Sequence, residues 1–155
     1  MSPALLIIDM QQGIQRLDRP RNNPEAEQRI ADLLERWRQA RWPLAHIRHI
    51  SREPGSVFAP GQDGALFQAE LAPLPTEQVF EKNVTDAFTH SNLGFATRVV
   101  ADACYTFDKT DYAGRPRSAE DVHDMAMANL RDEYAEVVRS ADLIAALFGA
   151  PERIG

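Results

Sequence analysis

The sequence predicts an α/β fold in which a mostly parallel sheet carries helices on both faces. Short aliphatic runs alternate with longer stretches whose apolar residues recur at helical spacing, and this alternation is typical of parallel sheets covered by helices. The first run, Ala4–Ile8, is apolar throughout, as expected of a strand that is buried on both faces. We therefore predict a three-layer, Rossmann-like arrangement with this run as an interior strand.

The predicted strands are short runs rich in aliphatic residues, each ending at a polar or turn-forming stretch. The sheet is expected to contain Leu5–Ile8, Ala45–His49, Gln78–Glu81 and Arg98–Ala101, with Glu136–Val138 at an edge. Arg52–Pro75 is predicted to be a long loop with short helical character at Ala65–Leu71. Long loops in compact domains tend to be functional.

Start signals and apolar spacing predict the helices. Asn23 followed by Pro24 is typical of an N-cap and a first helical residue, and this predicts a helix over Pro24–Arg38. Its apolar residues fall on one face. The expected buried stripe is Ala26, Ile30, Leu33, Leu34 and Trp37.

A second helix is predicted over Ala119–Arg131, because Ser118 and Asp121 form a capping-box pattern. A last helix is expected to begin with Ser140 as its cap and to end at Gly149. The expected buried stripe of the second helix is Val122, Met125, Ala126, Leu130 and Tyr134.

The composition indicates one globular domain over residues 1–155. The chain is 44% hydrophobic and 26% charged, which is ordinary for a folded domain. Its net charge of −6 argues against a nucleic-acid surface, which would be basic. No stretch approaches the length of a membrane span or has a signal-peptide pattern. One cysteine suits a reducing compartment, so we expect a soluble, cytoplasmic protein without nucleic-acid or membrane partners.

Two charged residues stand where predicted strands end. Asp9 follows the first strand and Lys82 follows the third. In open α/β sheets the carboxyl ends of strands are where ligands bind, and a carboxylate buried there needs a cation or hydrogen-bond donors. The alternatives are that Asp9 caps the next turn and that Lys82 is a solvated strand-end lysine. We expect the two side chains to lie close enough for an ion pair.

The histidines are weak candidates for metal ligands. His46 and His49 lie three residues apart in a predicted strand, so alternation sends them to opposite faces. His90 and His123 add no helix-borne ligand spacing. The sequence therefore predicts no metal site and no cofactor.

Several stretches together resemble the isochorismatase-like cysteine hydrolases, which include nicotinamidases, other small amidases and isochorismatase. They are LLIIDMQ, HIRHIS, FAPGQDG, FEKNVTDAFTHSNL, GFATRVVADACYTF, SAEDVHDMAMANL and AEVVRSADLI. The resemblance covers nearly the whole chain in the order of the family. It implies that Asp9 and Lys82 are two members of a catalytic aspartate–lysine–cysteine trio. It also implies a small-molecule substrate, an amide or a vinyl-ether-type metabolite, and a homodimer or higher homo-oligomer.

The third member of the trio has no match in this chain. The family pattern implies about thirty further residues, roughly a helix–strand–helix stretch, between Leu93 and Gly94. The connection Val84–Ala96 is itself at the lower limit for a crossover between parallel strands. Cys104 follows a later strand and does not match the nucleophile motif; lone cysteines are often structural.

Three explanations of the missing stretch are open. The chain has a true deletion, the sequence omits residues that the protein has, or the chain is a diverged member that keeps the fold for binding alone. The first hypothesis for function is an isochorismatase-family hydrolase that is inactive or impaired if the chain is complete. The alternative is a non-catalytic binding or oligomer-forming member. A histidine-based metal hydrolase is a more distant third.

Overall fold

The computed structural model describes residues 2–83, 96–131 and 134–149. The chain divides into two compact units: Met1–Asp18 with Ile30–Asn92 forms unit 1, and Arg19–Arg29 with Leu93–Gly155 forms unit 2. The predicted junction at Leu93 and Gly94 lies outside the described residues, as does His90. No described helix is long and apolar enough to cross a membrane.

Unit 1 contains a parallel three-stranded sheet in the order β1-β2-β3. The strands are β1 (Leu5–Ile8), β2 (Leu44–His49) and β3 (Gln78–Lys82). They match the predicted segments to within one residue at each end. The register places Ile8 beside Ile47 and Ile47 beside Phe80, so the carboxyl ends of all three strands meet at one edge of the sheet.

The first strand is not buried on both faces, which corrects the prediction. Among the described residues β1 pairs with β2 alone, and the Leu6 side chain is 45% exposed while Ile7 is 4% exposed. An apolar run shows that a strand can be covered on both sides. It does not show whether a second layer covers it.

The helices of the first half are α1 (Gln12–Gln15), which the sequence did not predict, and α2 (Ala26–Ala40). The predicted stripe of α2 is confirmed, because all of its members are buried; each buried leucine or isoleucine side chain contributes about 1.5–3 kcal/mol. The predicted N-cap is wrong. Asn23 has φ 45°, and its amide donates to the carbonyl oxygens of Ala101 and Cys104 instead of accepting from the helix.

The loop after β2 packs against the turn that follows β1. It contains two short 3-10 turns, Asp63–Ala65 and Ala69–Leu71, and the second lies inside the stretch predicted to have short helical character. A Cβ at Gly13 would lie 2.7 Å from Cε1 of Phe58, and one at Gly64 would lie 2.4 Å from the carbonyl oxygen of Val57. Both positions therefore require glycine for close packing.

Unit 2 contains the parallel pair β4 (Arg98–Val100) and β7 (Glu136–Val138). The predicted strands are thus found as two parallel groups, one in each unit. The stretch after β4 also holds an antiparallel hairpin of β5 (Lys109–Thr110) and β6 (Pro116–Arg117).

The helices of unit 2 are α3 (Ala119–Leu130) and α4 (Ser140–Phe148). The cap of α3 is confirmed, since Ser118 Oγ accepts from Asp121 N at 3.1 Å. Its predicted stripe is wrong: Met125 is 63% exposed and Tyr134, beyond the helix, is 70% exposed.

The buried residues of α3 are Ala119 and His123. His123 Nε2 lies 3.0 Å from the Ala101 carbonyl oxygen. This helix carries small and apolar residues on more than one side, so spacing alone cannot select the face that packs. At α4, Ser140 is the first helical residue and not the cap; its N–H and hydroxyl both donate to Asp102.

Candidate active site

Asp9 and Lys82 form an ion pair at the carboxyl ends of β1 and β3. Lys82 Nζ lies 2.6 Å from Asp9 Oδ2, and the side chains are 10% and 27% exposed, respectively. Because β2 lies between the two strands, the lysine must cross two strand spacings of about 4.8 Å each. A long, flexible side chain is suited to this reach. The predicted contact is confirmed.

The backbone at Asp9 turns the chain out of the sheet. Asp9 has φ 58°, a left-handed conformation that aspartate and asparagine tolerate better than most residues. Its N–H donates to the Ile47 carbonyl oxygen at 2.8 Å. This hydrogen bond continues the ladder between β1 and β2. The carboxylate is therefore fixed on the strand end rather than on a free loop.

One oxygen of this carboxylate has no hydrogen-bond partner among the described residues. Asp9 Oδ1 is buried, whereas Oδ2 accepts from Lys82. Buried carboxylate oxygens are normally hydrogen-bonded. The unpartnered oxygen is an acceptor placed to receive a proton or an N–H or O–H donor.

Gln11 holds this turn against the rest of unit 1, and the sequence did not single it out. Its side chain is fully buried. Nε2 donates to the carbonyls of His49 at 2.9 Å and Ala65 at 3.1 Å, and Oε1 accepts from His49 N at 2.7 Å. The amide thus joins the end of β2 to the long loop. The only signal for it was a glutamine two residues after the strand-end aspartate.

An open cleft of about 690 Å³ lies at this edge of the sheet. Lys82 contributes to its wall, so the ion pair borders a space large enough for a small molecule. The other lining residues come from the long loop and from the ends of β2 and β3: Ile50, Ser51, Arg52, Glu53, Pro54, Ala59, Pro60, Glu81 and Asn83.

The histidines of β2 serve packing on opposite faces, as the alternation predicted. His46 is fully buried, with Nε2 3.1 Å from Glu77 Oε2, and His49 packs edge-on against Phe58. Residues 2–83, 96–131 and 134–149 hold no group of three or more acidic, histidine or cysteine side chains placed to bind a metal ion.

Glu77 forms a second buried ion pair, which the sequence did not indicate. Arg38 Nε and Nη2 donate to its two carboxylate oxygens at 2.7 and 2.9 Å. The hydrogen bond from Arg38 holds the pKa of Glu77 down to about 2. Burial lowers the pKa of His46, so this imidazole is neutral near pH 7 and takes up a proton only under acid conditions.

A family model described as an isochorismatase domain matches residues 3–93. This chain belongs to the isochorismatase family. The matched region contains both Asp9 and Lys82, and it ends at Leu93.

Solved isochorismatase-family structures share the fold. One from Chromobacterium violaceum is 42% identical, with a TM-score of 0.89 and coverage of 94% of this chain and 93% of the other. An isochorismatase from Pseudomonas putida is 26% identical, with a TM-score of 0.77 and coverage of 90% and 89%. The fold is therefore the α/β arrangement of parallel strands and helices found in this family.

A relative from Bacillus subtilis differs in length within the matched range. The isochorismatase family protein YrdC is 27% identical over 177 residues, covering 91% of this chain and 94% of YrdC. An alignment of 177 positions cannot be filled by a chain of 155 residues. YrdC therefore has residues inside the matched range that have no counterpart here.

Cys104, the single cysteine of the chain, lies in unit 2 after the 3-10 turn Ala101–Ala103. Burial raises the pKa of its thiol to about 11, and the charge of Asp102 adds to the rise. Nucleophilic cysteines show the opposite shift, because the thiolate is the attacking species. The raised pKa therefore disfavours the thiolate form of Cys104.

Proposed function

We propose that Asp9 and Lys82 are the proton-accepting and charge-stabilising residues of an isochorismatase-family hydrolase site for a small amide or vinyl-ether-type metabolite. We further propose that the 155-residue chain has no thiolate-dependent turnover. The observation that carries the proposal is the 2.6 Å contact between Lys82 and Asp9, together with the buried, unpartnered Oδ1 of the same carboxylate.

Amide hydrolysis at such a site needs a thiol beside Asp9. The thiol proton would pass to Oδ1, and the thiolate would attack the carbonyl carbon to form a thioester as the amine departs with a proton. Water would then cleave the thioester, releasing the acid and restoring the thiol. Lys82 would hold the carboxylate in place through Oδ2 and offset the negative charge that develops during the attack.

The absence of a suitable thiol supports the second part of the proposal. Cys104 has a raised pKa, which leaves almost no thiolate at neutral pH. The family-model match ends at Leu93, next to the junction at which the sequence resemblance implies missing residues. The longer alignment with YrdC agrees with residues being absent from this chain.

A binding function without catalysis is the second candidate. The cleft bordered by Lys82 is present although no motif-matched cysteine serves it. Such a protein would bind a small molecule without turning it over. In either case we propose a cytoplasmic homo-oligomer, on the basis of the family resemblance and the single cysteine.

The test is a turnover assay on a panel of small amides and isochorismate. Wild type, Cys104→Ser and Asp9→Asn are compared, and calorimetry with the same compounds measures binding. We expect no turnover that depends on a thiol, and binding that is equal in wild type and Cys104→Ser. Turnover lost in Cys104→Ser would make Cys104 the nucleophile. Strong turnover that survives in Asp9→Asn would remove the aspartate from the mechanism.

A further inference from the structure

The charged side chains in the wall of the cleft at the ends of β2 and β3 are Arg52, Glu53, Glu81 and Lys82. Ion pairs neutralise two of these charges. Lys82 Nζ lies 2.6 Å from Asp9 Oδ2, and Glu81 Oε1 lies 2.5 Å from Arg48 Nη2. The charges that remain for a ligand are therefore those of Arg52 and Glu53.

Arg52 contacts an uncharged partner, the side-chain amide of Asn83. With its oxygen turned toward Arg52, this amide accepts from Nη2 at 2.5 Å and from Nε at 2.9 Å. The hydrogen bonds select this orientation, because the opposite one would set N–H donors against the guanidinium. Among residues 2–83, 96–131 and 134–149 Arg52 forms no ion pair, with Glu53 or with another acid. Its positive charge is thus oriented without being neutralised.

The contact with Asn83 also determines which edge of the guanidinium a ligand can reach. The group carries five N–H donors in a planar fork. Asn83 takes the edge formed by Nε and Nη2, which leaves the edge formed by Nη1 and Nη2. Two parallel N–H groups on such an edge match the two oxygens of a carboxylate.

The backbone places Arg52 close to the Asp9–Lys82 pair. Ile50 N donates to the Lys82 carbonyl oxygen at 2.8 Å, and Arg52 follows Ile50 by two residues. Asn83, which orients Arg52, directly follows Lys82, so the Cα atoms of these two residues are about 3.8 Å apart. One small molecule can therefore span the distance between Arg52 and the ion pair.

The remainder of the cleft wall is largely apolar, with Ile50, Pro54, Ala59 and Pro60 among its residues. Sites for small molecules typically combine such a wall with a few polar groups that fix the orientation of the ligand. A ligand seated against it displaces water from the guanidinium, and removal of water strengthens the attraction between opposite charges. A carboxylate is therefore held more strongly here than in an ordinary surface ion pair.

We propose that Arg52 is a specificity-determining residue of the cleft and that the small molecule bound there carries a carboxylate. The carboxylate would occupy the Nη1–Nη2 edge of Arg52, and the amide or vinyl-ether group would face Asp9 and Lys82. This inference rests on the proposed function, because it names the class of substrate at the same site.

The experiment measures binding and does not require turnover. The probes are succinamate and succinamide, which share a carbon skeleton and differ in one carboxylate that replaces an amide. Calorimetry near pH 7 and at low salt gives the dissociation constants of both compounds for the 155-residue chain. Arg52→Gln removes the positive charge. Glu53→Gln is the matched control, because Glu53 is the adjacent residue, lines the same cleft and carries the opposite charge.

We expect wild type to bind succinamate at least about tenfold more tightly than succinamide, because hydrogen bonds to a charged group are the stronger ones. Arg52→Gln should reduce this preference to within about twofold, whereas Glu53→Gln should keep or increase it. Both side chains are exposed, so the variants should fold, and circular dichroism checks this. The inference is overturned if wild type does not bind succinamate or does not prefer it, if the preference survives in Arg52→Gln, or if both variants lose it.

Asp9→Asn separates this inference from the proposed function. It removes the acid partner of Lys82 and leaves Arg52 in place, so the preference for succinamate should be kept or increased. Loss of the preference in Asp9→Asn would count against Arg52 as the residue that recognises the carboxylate. Turnover of succinamate that requires Cys104, or that survives in Asp9→Asn, counts against the proposed function alone. A carboxylate preference that depends on Arg52 stands whatever the turnover assay gives.

Discussion

Asp9 combines a left-handed backbone conformation with a charge that is three-quarters buried, and Lys82 is its counterion. Partly buried pairs of this kind are strongly affected when one partner is removed, because the other charge stays behind unpaired. Asp9→Asn keeps a residue that tolerates φ 58°, so its effect reports the charge and not the backbone.

We expect Asp9→Asn and Lys82→Gln each to lower the free energy of unfolding by roughly 2 kcal/mol, less than the ~3–5 kcal/mol of fully buried pairs. The double variant should lose clearly less than the sum, with a coupling of about 1 kcal/mol or more. Urea unfolding of the four proteins measures this cycle. Strict additivity would show that the pair contributes nothing to stability.

Through its contact with Arg38, Glu77 makes the free energy of unfolding sensitive to acid pH. Its pKa is held down to about 2 by Arg38 and by further hydrogen bonds, against about 4.5 for an unperturbed glutamate. The unfolded chain therefore binds a proton at Glu77 before the folded chain does. Its stabilisation is fully present above about pH 4.5 and is lost as the pH falls toward 2.

We expect wild type to exceed Glu77→Gln in unfolding free energy by about 2–3 kcal/mol at pH 6, with the difference shrinking between pH 4.5 and 2. The lowered pKa of His46 adds a loss that begins at higher pH, below about 6.5. His46→Gln separates this second contribution. A difference between wild type and Glu77→Gln that does not change with pH would rule out the role assigned to Glu77.

At the level of elements, α2 and α3 show when apolar spacing predicts the buried face. The stripe of α2 is confirmed because its large aliphatic and aromatic residues fall on one side only. The stripe assigned to α3 is wrong, since Met125 is exposed and the buried positions are Ala119 and His123. Apolar spacing restricts which faces of a helix can be buried. The elements that pack against the helix determine which of these faces is buried.

We expect Leu34→Ala, at a position that is 1% exposed, to lower the free energy of unfolding by roughly 3 kcal/mol through lost burial and a cavity. Met125→Ala should change it by less than about 0.5 kcal/mol. Both are measured by urea unfolding at one pH. A large loss in Met125→Ala would restore the original stripe of α3.

The strands also show what apolar patterns cannot predict. All three predicted segments of unit 1 are present as strands, but their order and register come from the structure alone. The edge position of β1 could not be predicted, because four apolar residues in a row look the same whether a strand has one neighbour or two.

At the scale of the whole molecule, the β1–β2–β3 sheet carries exposed apolar side chains on one face, among them Leu6 and Phe80. Contiguous apolar surface on a protein binds hydrophobic dyes and promotes association. Leu6 is 45% exposed and Phe80 is 53% exposed.

We expect the wild-type chain to enhance anilinonaphthalene sulfonate fluorescence at neutral pH, and a Leu6→Lys/Phe80→Lys variant to reduce that enhancement roughly twofold or more. Val79→Lys should leave it nearly unchanged. Circular dichroism confirms that the variants are folded. Equal dye binding by all proteins would mean that Leu6 and Phe80 are covered in solution.

The sequence by itself determined the fold class, the strand segments of unit 1, the stripe of α2 and the meeting of Asp9 with Lys82. These features depend on local patterns: aliphatic runs, helical spacing, and the rule that parallel strands bring their carboxyl ends together. Only the tertiary structure decided the exposure of Leu6, the face of α3, the donor role of Asn23, and the burial of Gln11 and Glu77. Each of these depends on what lies opposite a residue in space, and a side chain's own neighbours in the sequence do not specify that.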